Sequence, residues 1–164
     1  MNKKYKVGMY GGKFMPFHKG HLYCIKQAAR MCEKLYVILF TGGAQELEIL
    51  SKRHEEWLQP KDREKHMKEA CKKFKNVEAI VIDTTECKNK DGTQNWNMET
   101  PLVLDACGNL DAVFGSEPDY DDYYRRAYPE AEYVQIDVDR KKFPISGTKI
   151  RNMKSEKERR KWII

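Results

Sequence analysis

The run Leu35 to Phe40, LYVILF, is apolar at nearly every position and shows no alternation of apolar and polar residues. It is too short to span a membrane as a helix, and it suits a strand covered on both faces, the habit of parallel sheets layered between helices. Shorter runs of the same character recur at Tyr5 to Tyr10, Val77 to Ile82, Asp111 to Gly115 and Glu132 to Asp137. Amphipathic stretches separate them. His21 to Cys32 brings Leu22, Ile25, Ala28, Ala29 and Cys32 to one face at spacings of three and four. Lys61 to Phe74 does the same with Met67, Ala70, Cys71 and Phe74, behind Pro60 at a position where a first helical turn tolerates proline. Further helices are expected at Glu99 to Cys107, at Tyr120 to Ala127 and after Ser146-Gly147.

This alternation predicts an α/β fold, a Rossmann-like doubly wound sheet of about five parallel strands with helices on both faces. At 164 residues the chain is expected to form a single domain, 1–164. No window is apolar enough for a membrane helix, and MNKKYKVGMYGG lacks the core of a signal peptide, so a cytoplasmic protein without membrane partners is expected. Five widely spaced cysteines with no C-x-x-C pair indicate neither a disulfide framework nor a zinc ribbon. The net charge of +6 is spread among nearly as many acidic residues, which speaks against a nucleic-acid groove but suits polyanionic substrates. From Thr41 to Gln59 the pattern weakens into a polar excursion, read as a loop whose role stays open.

Ligands of open parallel sheets bind beyond the carboxyl ends of the strands, and GGKFMPFHKGH follows the first strand at such an end. Gly11 and Gly12 permit close backbone approach, Lys13 supplies a cation, and His18 and His21 are three residues apart at the start of a helix. The same residues would also make an ordinary turn followed by surface histidines. Neither the P-loop spacing nor G-x-G-x-x-G occurs, and a zinc site would lack its further ligands. Near the far end, ISGTKIR offers a capping Ser146, the hydroxyl of Thr148 and Arg151 one turn on, which suit an anion or, equally, a capped helix with a surface arginine. Two such helix starts could meet over a triphosphate.

These segments resemble the nucleotidyltransferase superfamily, whose signatures are H-x-G-H, here His18 to His21, and I-S-x-T-x-x-R, here Ile145 to Arg151. Within it the chain is similar to the nicotinamide mononucleotide adenylyltransferases, above all the adenylyltransferase domain of NadR-type proteins. That likeness extends through Asp62-Arg63, Asn95-Trp96, the FGSEP segment Phe114 to Pro118, and IDVDRKKFPISGTKIR. The resemblance implies His18, His21, Lys13 and Arg151 as catalytic groups around the ATP phosphates. It implies Gly11, Gly12, Phe14, Ser116, Asp139, Arg140, Ile145, Ser146 and Thr148 as further ATP-binding positions, and Asn95 and Trp96 as the mononucleotide site, the indole stacking on the pyridine ring. No protein ligand for a metal is implied, since Mg2+ would be held by the substrate phosphates.

The implied reaction joins ATP and nicotinamide or nicotinate mononucleotide to give NAD or its deamido form and pyrophosphate, by direct in-line attack without a covalent intermediate. A pantetheine-phosphate adenylyltransferase, a CTP-dependent cytidylyltransferase and a non-catalytic nucleotide sensor are the alternatives. A homo-oligomer that binds no nucleic acid is expected. NadR-type proteins can carry a DNA-binding segment and a riboside kinase that this sequence does not show, so a monofunctional protein or one domain of a longer one is expected.

Overall fold

The structure, a computed structural model, describes residues 3–117 and 120–163. Strand β1 (Tyr5–Gly12) leads through the glycine-rich turn into α1 (Lys19–Met31), and β2 (Cys32–Thr41) follows with no intervening loop. Next come α2 (Ala44–Lys52), a 3-10 turn (Glu56–Leu58), α3 (Pro60–Cys71) and β3 (Val77–Asp83). A second 3-10 turn (Trp96–Met98) enters α4 (Glu99–Cys107), followed by β4 (Ala112–Gly115), α5 (Asp121–Ala127), β5 (Glu132–Gln135), α6 (Gly147–Arg151) and α7 (Glu156–Arg160).

All five strands are parallel and lie in the order β3-β2-β1-β4-β5, so the sheet is doubly wound as expected. The apolar run of β2 serves both faces. Leu35, Val37 and Leu39 join α1 and α3 in one core, where Ile25, Ala28 and Met67 are fully buried. Ile38, with Tyr36 and Phe40 packed alongside, faces a second core made with α4 and α5 through Val103, Cys107 and Tyr128. That division is why LYVILF shows no alternation. All five cysteines are free and buried.

Several boundaries differ from the sequence reading. Cys32 opens β2 rather than closing α1, because pairing with Tyr5 draws Cys32 to Lys34 into the sheet ahead of the apolar run. Helix α3 ends at Cys71, short of Phe74, and β5 stops at Gln135 because Asp137 adopts a left-handed φ of 51°. The excursion from Thr41 to Gln59 is not a loop but holds α2 and a 3-10 turn, and α7 was not foreseen. Among the described residues no helix is long and apolar enough to cross a membrane.

Candidate nucleotide site

Between β1 and β4 the winding reverses direction, and the loops leaving these two strands splay apart there, which is where doubly wound sheets bind ligands. A cleft of about 380 Å³ opens at that point. Its lining includes the turn after β1, the loop after β4, Trp96 and a group of tyrosines. Gly11, Gly12, Lys13, Phe14, His18 and His21 line it, together with Ser146, Thr148 and Arg151.

The two histidines are set by backbone capping. His18 is the N-cap of α1: its Nδ1 accepts from the Gly20 N–H at 3.0 Å, and its own N–H donates to Nδ1 of His21 at 3.1 Å. Each Nδ1 is therefore an acceptor, so in the neutral rings each Nε2 carries the proton. Burial, with Arg140 nearby, pushes the His18 pKa down to about 3, and burial with His18 and Arg140 holds His21 well below the usual imidazole range. The rings stack with centroids 3.6 Å apart. Nε2 of His18 is buried without a protein partner. A buried N–H left unmet costs roughly 1–3 kcal/mol, a penalty that an anionic ligand in the cleft would remove.

This refines the expected site. The start of α1 does not present bare N–H groups to the cleft, since Gly20 N–H is taken by His18 and Lys19 N–H donates to Trp162 O at 2.8 Å. The imidazoles take over as donors. Trp162, given no role by the sequence, thus ties the segment after α7 to the histidine corner, beside a bridge between Ile163 and His18.

Arg151 joins the far end of the chain to the first turn. Its Nη1 donates to Met15 O at 2.8 Å and its Nη2 to Thr148 Oγ1 at 3.2 Å. Gly147 sits in the same junction, where a Cβ would lie 2.9 Å from Met15 O, so only glycine permits this approach. Ser146 caps α6 by accepting from Lys149 N–H at 3.2 Å. Lys13 bonds Gln45 of α2, and its main-chain carbonyl accepts from Arg63 at 2.7 Å. Burial, then Arg151, lowers the Lys13 pKa. Phe14, in a left-handed conformation with φ 51°, is buried and meets the His21 ring edge-on at 4.7 Å.

Across the cleft, Ser116 and Arg140 follow β4 and β5. Arg140 donates to Ile145 O at 2.9 Å and to Glu117 at 2.5 Å. Ile145 itself is 3% exposed and does not line the cleft; its carbonyl fixes Arg140. Asp139 is exposed and is not among the residues that line the cleft. The carboxylate that organises its turn is Asp137, which accepts from the N–H groups of Lys142 and Phe143 at 2.9 and 3.1 Å. Pro118, part of the segment singled out with Ser116, lies outside the described residues.

Trp96 also lines the cleft with its side chain partly exposed, meeting Tyr120 and Tyr123 edge-on at 5.0 and 5.4 Å. Asn95 does not reach this cleft. It caps the 3-10 turn through Asn97 N–H at 3.1 Å, bonds Asn89, and borders a shallower depression behind the indole. Gln94 and Glu99, which the sequence reading passed over, do line the cleft and share a bond of 2.9 Å. The buried pair of Arg63 and Glu46 was also missed; only the Asp62-Arg63 dipeptide hinted at it.

A switch-point cleft walled by a glycine-rich turn, imidazole donors and a guanidinium is the arrangement of a nucleotide-binding α/β protein. The chain belongs to the cytidylyltransferase-like family, whose model matches residues 9–153, and it is a nucleotidyltransferase. Phosphopantetheine adenylyltransferase of Mycoplasma capricolum subsp. capricolum is 29% identical over 163 residues, covering 93% of this chain and 99% of that protein. The enzyme of the same name from Mycoplasma mycoides subsp. mycoides is 28% identical over 159 residues, with 93% and 99% covered. Among solved structures, the NadR protein in complex with NR aligns with a TM-score of 0.65 at 20% identity, over 98% of this chain and 43% of that one. A bifunctional NMN adenylyltransferase/ADP ribose pyrophosphatase from Francisella tularensis aligns at 0.55 and 20%, over 81% and 38%. The chain therefore spans less than half of those two solved chains, and at such identity the likeness is one of fold.

Proposed function

We propose that the chain transfers the adenylyl group of ATP to nicotinamide or nicotinate mononucleotide, giving NAD or its deamido form and pyrophosphate. One observation carries the choice of acceptor: Trp96, 40% exposed, lines the same cleft as the histidines and is framed edge-on by tyrosines. A large exposed indole in a polar loop suits a flat, cationic pyridine ring, which gains from stacking on an electron-rich face. A flexible pantetheine arm has no ring to place there.

In this reading ATP enters as its magnesium complex, the ion bound through phosphate oxygens and water. The Nε2–H groups of His18 and His21 and the charges of Lys13 and Arg151 surround its phosphates. The acceptor brings an ionised phosphate, whose oxygen attacks the α-phosphorus in line while pyrophosphate leaves, so no general base is required. The protein's part is to align two anions and to stabilise charge building on the leaving group. Neutral imidazoles serve this well. They donate at every pH near neutrality, because their protons are fixed by the cap rather than gained by titration.

A second reading, phosphopantetheine as acceptor, is favoured by the curated relatives, which match this chain over nearly their whole length. Incubation with ATP or CTP and either mononucleotide or phosphopantetheine, followed by pyrophosphate assay and product mass, separates the two. Turnover is expected with ATP and a pyridine mononucleotide. Turnover with phosphopantetheine alone would overturn the acceptor, and nucleotide binding without pyrophosphate release would make the protein a sensor.

A further inference from the structure

The excursion between β2 and α3, to which the reaction gives no part, reaches the cleft through a buried pair of charges. Arg63 is wholly buried and Glu46 is 2% exposed, with Nη1 and Oε1 3.0 Å apart. Arg63 also donates through Nε to Leu58 O at 2.9 Å and through Nη1 to Lys13 O at 2.7 Å. The other Glu46 oxygen accepts from Gly42 N–H at 3.1 Å. Beside Glu46 on α2, Gln45 accepts from the Lys13 ammonium. Lys13 is thus held at both ends: its backbone by Arg63, and its ammonium by Gln45, whose helix Glu46 draws inward. Glu46 is also the one buried residue of α2, so the helix docks through a charge and not through an apolar face.

Stability alone is a poor reason for such a pair, since replacing a buried ion pair with well-packed apolar groups is often neutral or stabilising. We propose that Arg63 and Glu46 are a positioning pair for the transfer reaction, fixing the Lys13 ammonium against the reacting phosphates and making α2 part of the catalytic apparatus. This rests on the reading of Lys13 as a phosphate ligand. Neither residue touches substrate; both act through Lys13. A displacement of about 1 Å in such a group can lower turnover ~10²-fold.

A double-mutant cycle tests it, with kcat measured in the full chain using ATP and whichever of nicotinamide mononucleotide or phosphopantetheine supports turnover. Glu46→Gln keeps the shape and is expected to lower kcat roughly 10-fold, leaving the acceptor KM within about 2-fold. In a Lys13→Ala background the same substitution is expected to change kcat by less than about 2-fold, because its effect passes through the missing ammonium. Losses that multiply independently would overturn the inference while leaving the phosphate role of Lys13 intact. Wild-type turnover by Lys13→Ala would instead overturn that role, and the inference with it. Should Glu46→Gln fail to fold, Gln45→Ala enters the cycle with the same expected coupling, and independent losses there overturn the inference equally.

The pH profile supplies a second readout. The charges facing Lys13 are Glu46 from α2, Arg63 from α3, Glu99 from α4 and Arg151 from α6. Burial and Arg151 lower its pKa, Glu46 and Glu99 raise it, and Arg63 lowers it again. Lys13 acts as a cation, so activity falls as pH rises through its pKa. Removing the Glu46 charge moves that alkaline limb to lower pH; an unmoved limb counts against the pair.

Discussion

Around the histidines and Lys13, caps within a few residues hold His18, His21 and Ser146, and long-range bonds tie the corner together: Arg151 donates to Met15 O, 136 residues away in sequence, and Arg63 to Lys13 O, 50 away. Around Trp96 the bonds are mostly local. Asn95 serves Asn97 and Asn89, and Asp91 accepts from Thr93, with Gln94 to Ala44 N–H and Tyr123 to Trp96 O as the longer ties. A shift of the first region disturbs the turn after β1 together with α3 and α6. The second can change within one loop. This suits a division of labour in which nucleotide handling is built into the fold and acceptor choice is added on a loop.

The largest test of that contrast is His21→Ala, for which we expect kcat to fall ~10²–10³-fold, as when one donor to a developing charge is lost. Its far-UV circular dichroism should be unchanged and its Tm lower by only a few degrees, for the lost capping contact. Near-normal turnover would remove His21 from the phosphate site.

Next in size is a pH effect on stability. The His18 pKa of about 3 lies below its unfolded value of 6.5, so the neutral ring contributes stability that is complete above pH 6.5. That contribution is lost as pH falls towards 3, by at most about 1.4 kcal/mol per pH unit. Denaturant midpoints should therefore be lower at pH 5 than at pH 7. His18→Asn, which can still cap the helix but cannot titrate, should shrink the difference.

Trp96→Ala is expected to raise the KM for the mononucleotide about 10-fold, in line with the ~1–3 kcal/mol of one stacked base, and to leave the KM for ATP within about 2-fold. Equal effects on both substrates would break the separation of the two regions. Asn95→Ala should do least, raising the acceptor KM roughly 2- to 3-fold through a loosened turn, with ATP kinetics unaffected.

The strands and the sheet class were legible because apolar runs and 3.6-residue periodicity are local signals. The histidine corner was legible through its spacing, since capping places residues three apart in contact. Helix α2 was not. Its only buried residue is Glu46, so it shows none of the apolar stripe by which a docked helix is recognised, and its partner lies beyond the next turn of chain. Asp139 comes from the family resemblance alone, and a sequence pattern cannot show that Asp137, with its left-handed φ, is the carboxylate that ties this turn together. The stretch Tyr120 to Ala127 shows in sequence only as a short helix, and its tyrosines frame Trp96 only in the folded chain.

The amino-acid order by itself determined the layers of the fold, the direction of its strands and the two helix-capping segments that meet at the cleft, because burial period and capping act within a few residues. Only the tertiary structure decided which imidazole nitrogens carry protons into the cleft, that a glycine must stand against Met15, and that a buried ion pair grips Lys13. Those outcomes depend on atoms far apart in sequence meeting at hydrogen-bond distance, and no local pattern specifies such a meeting.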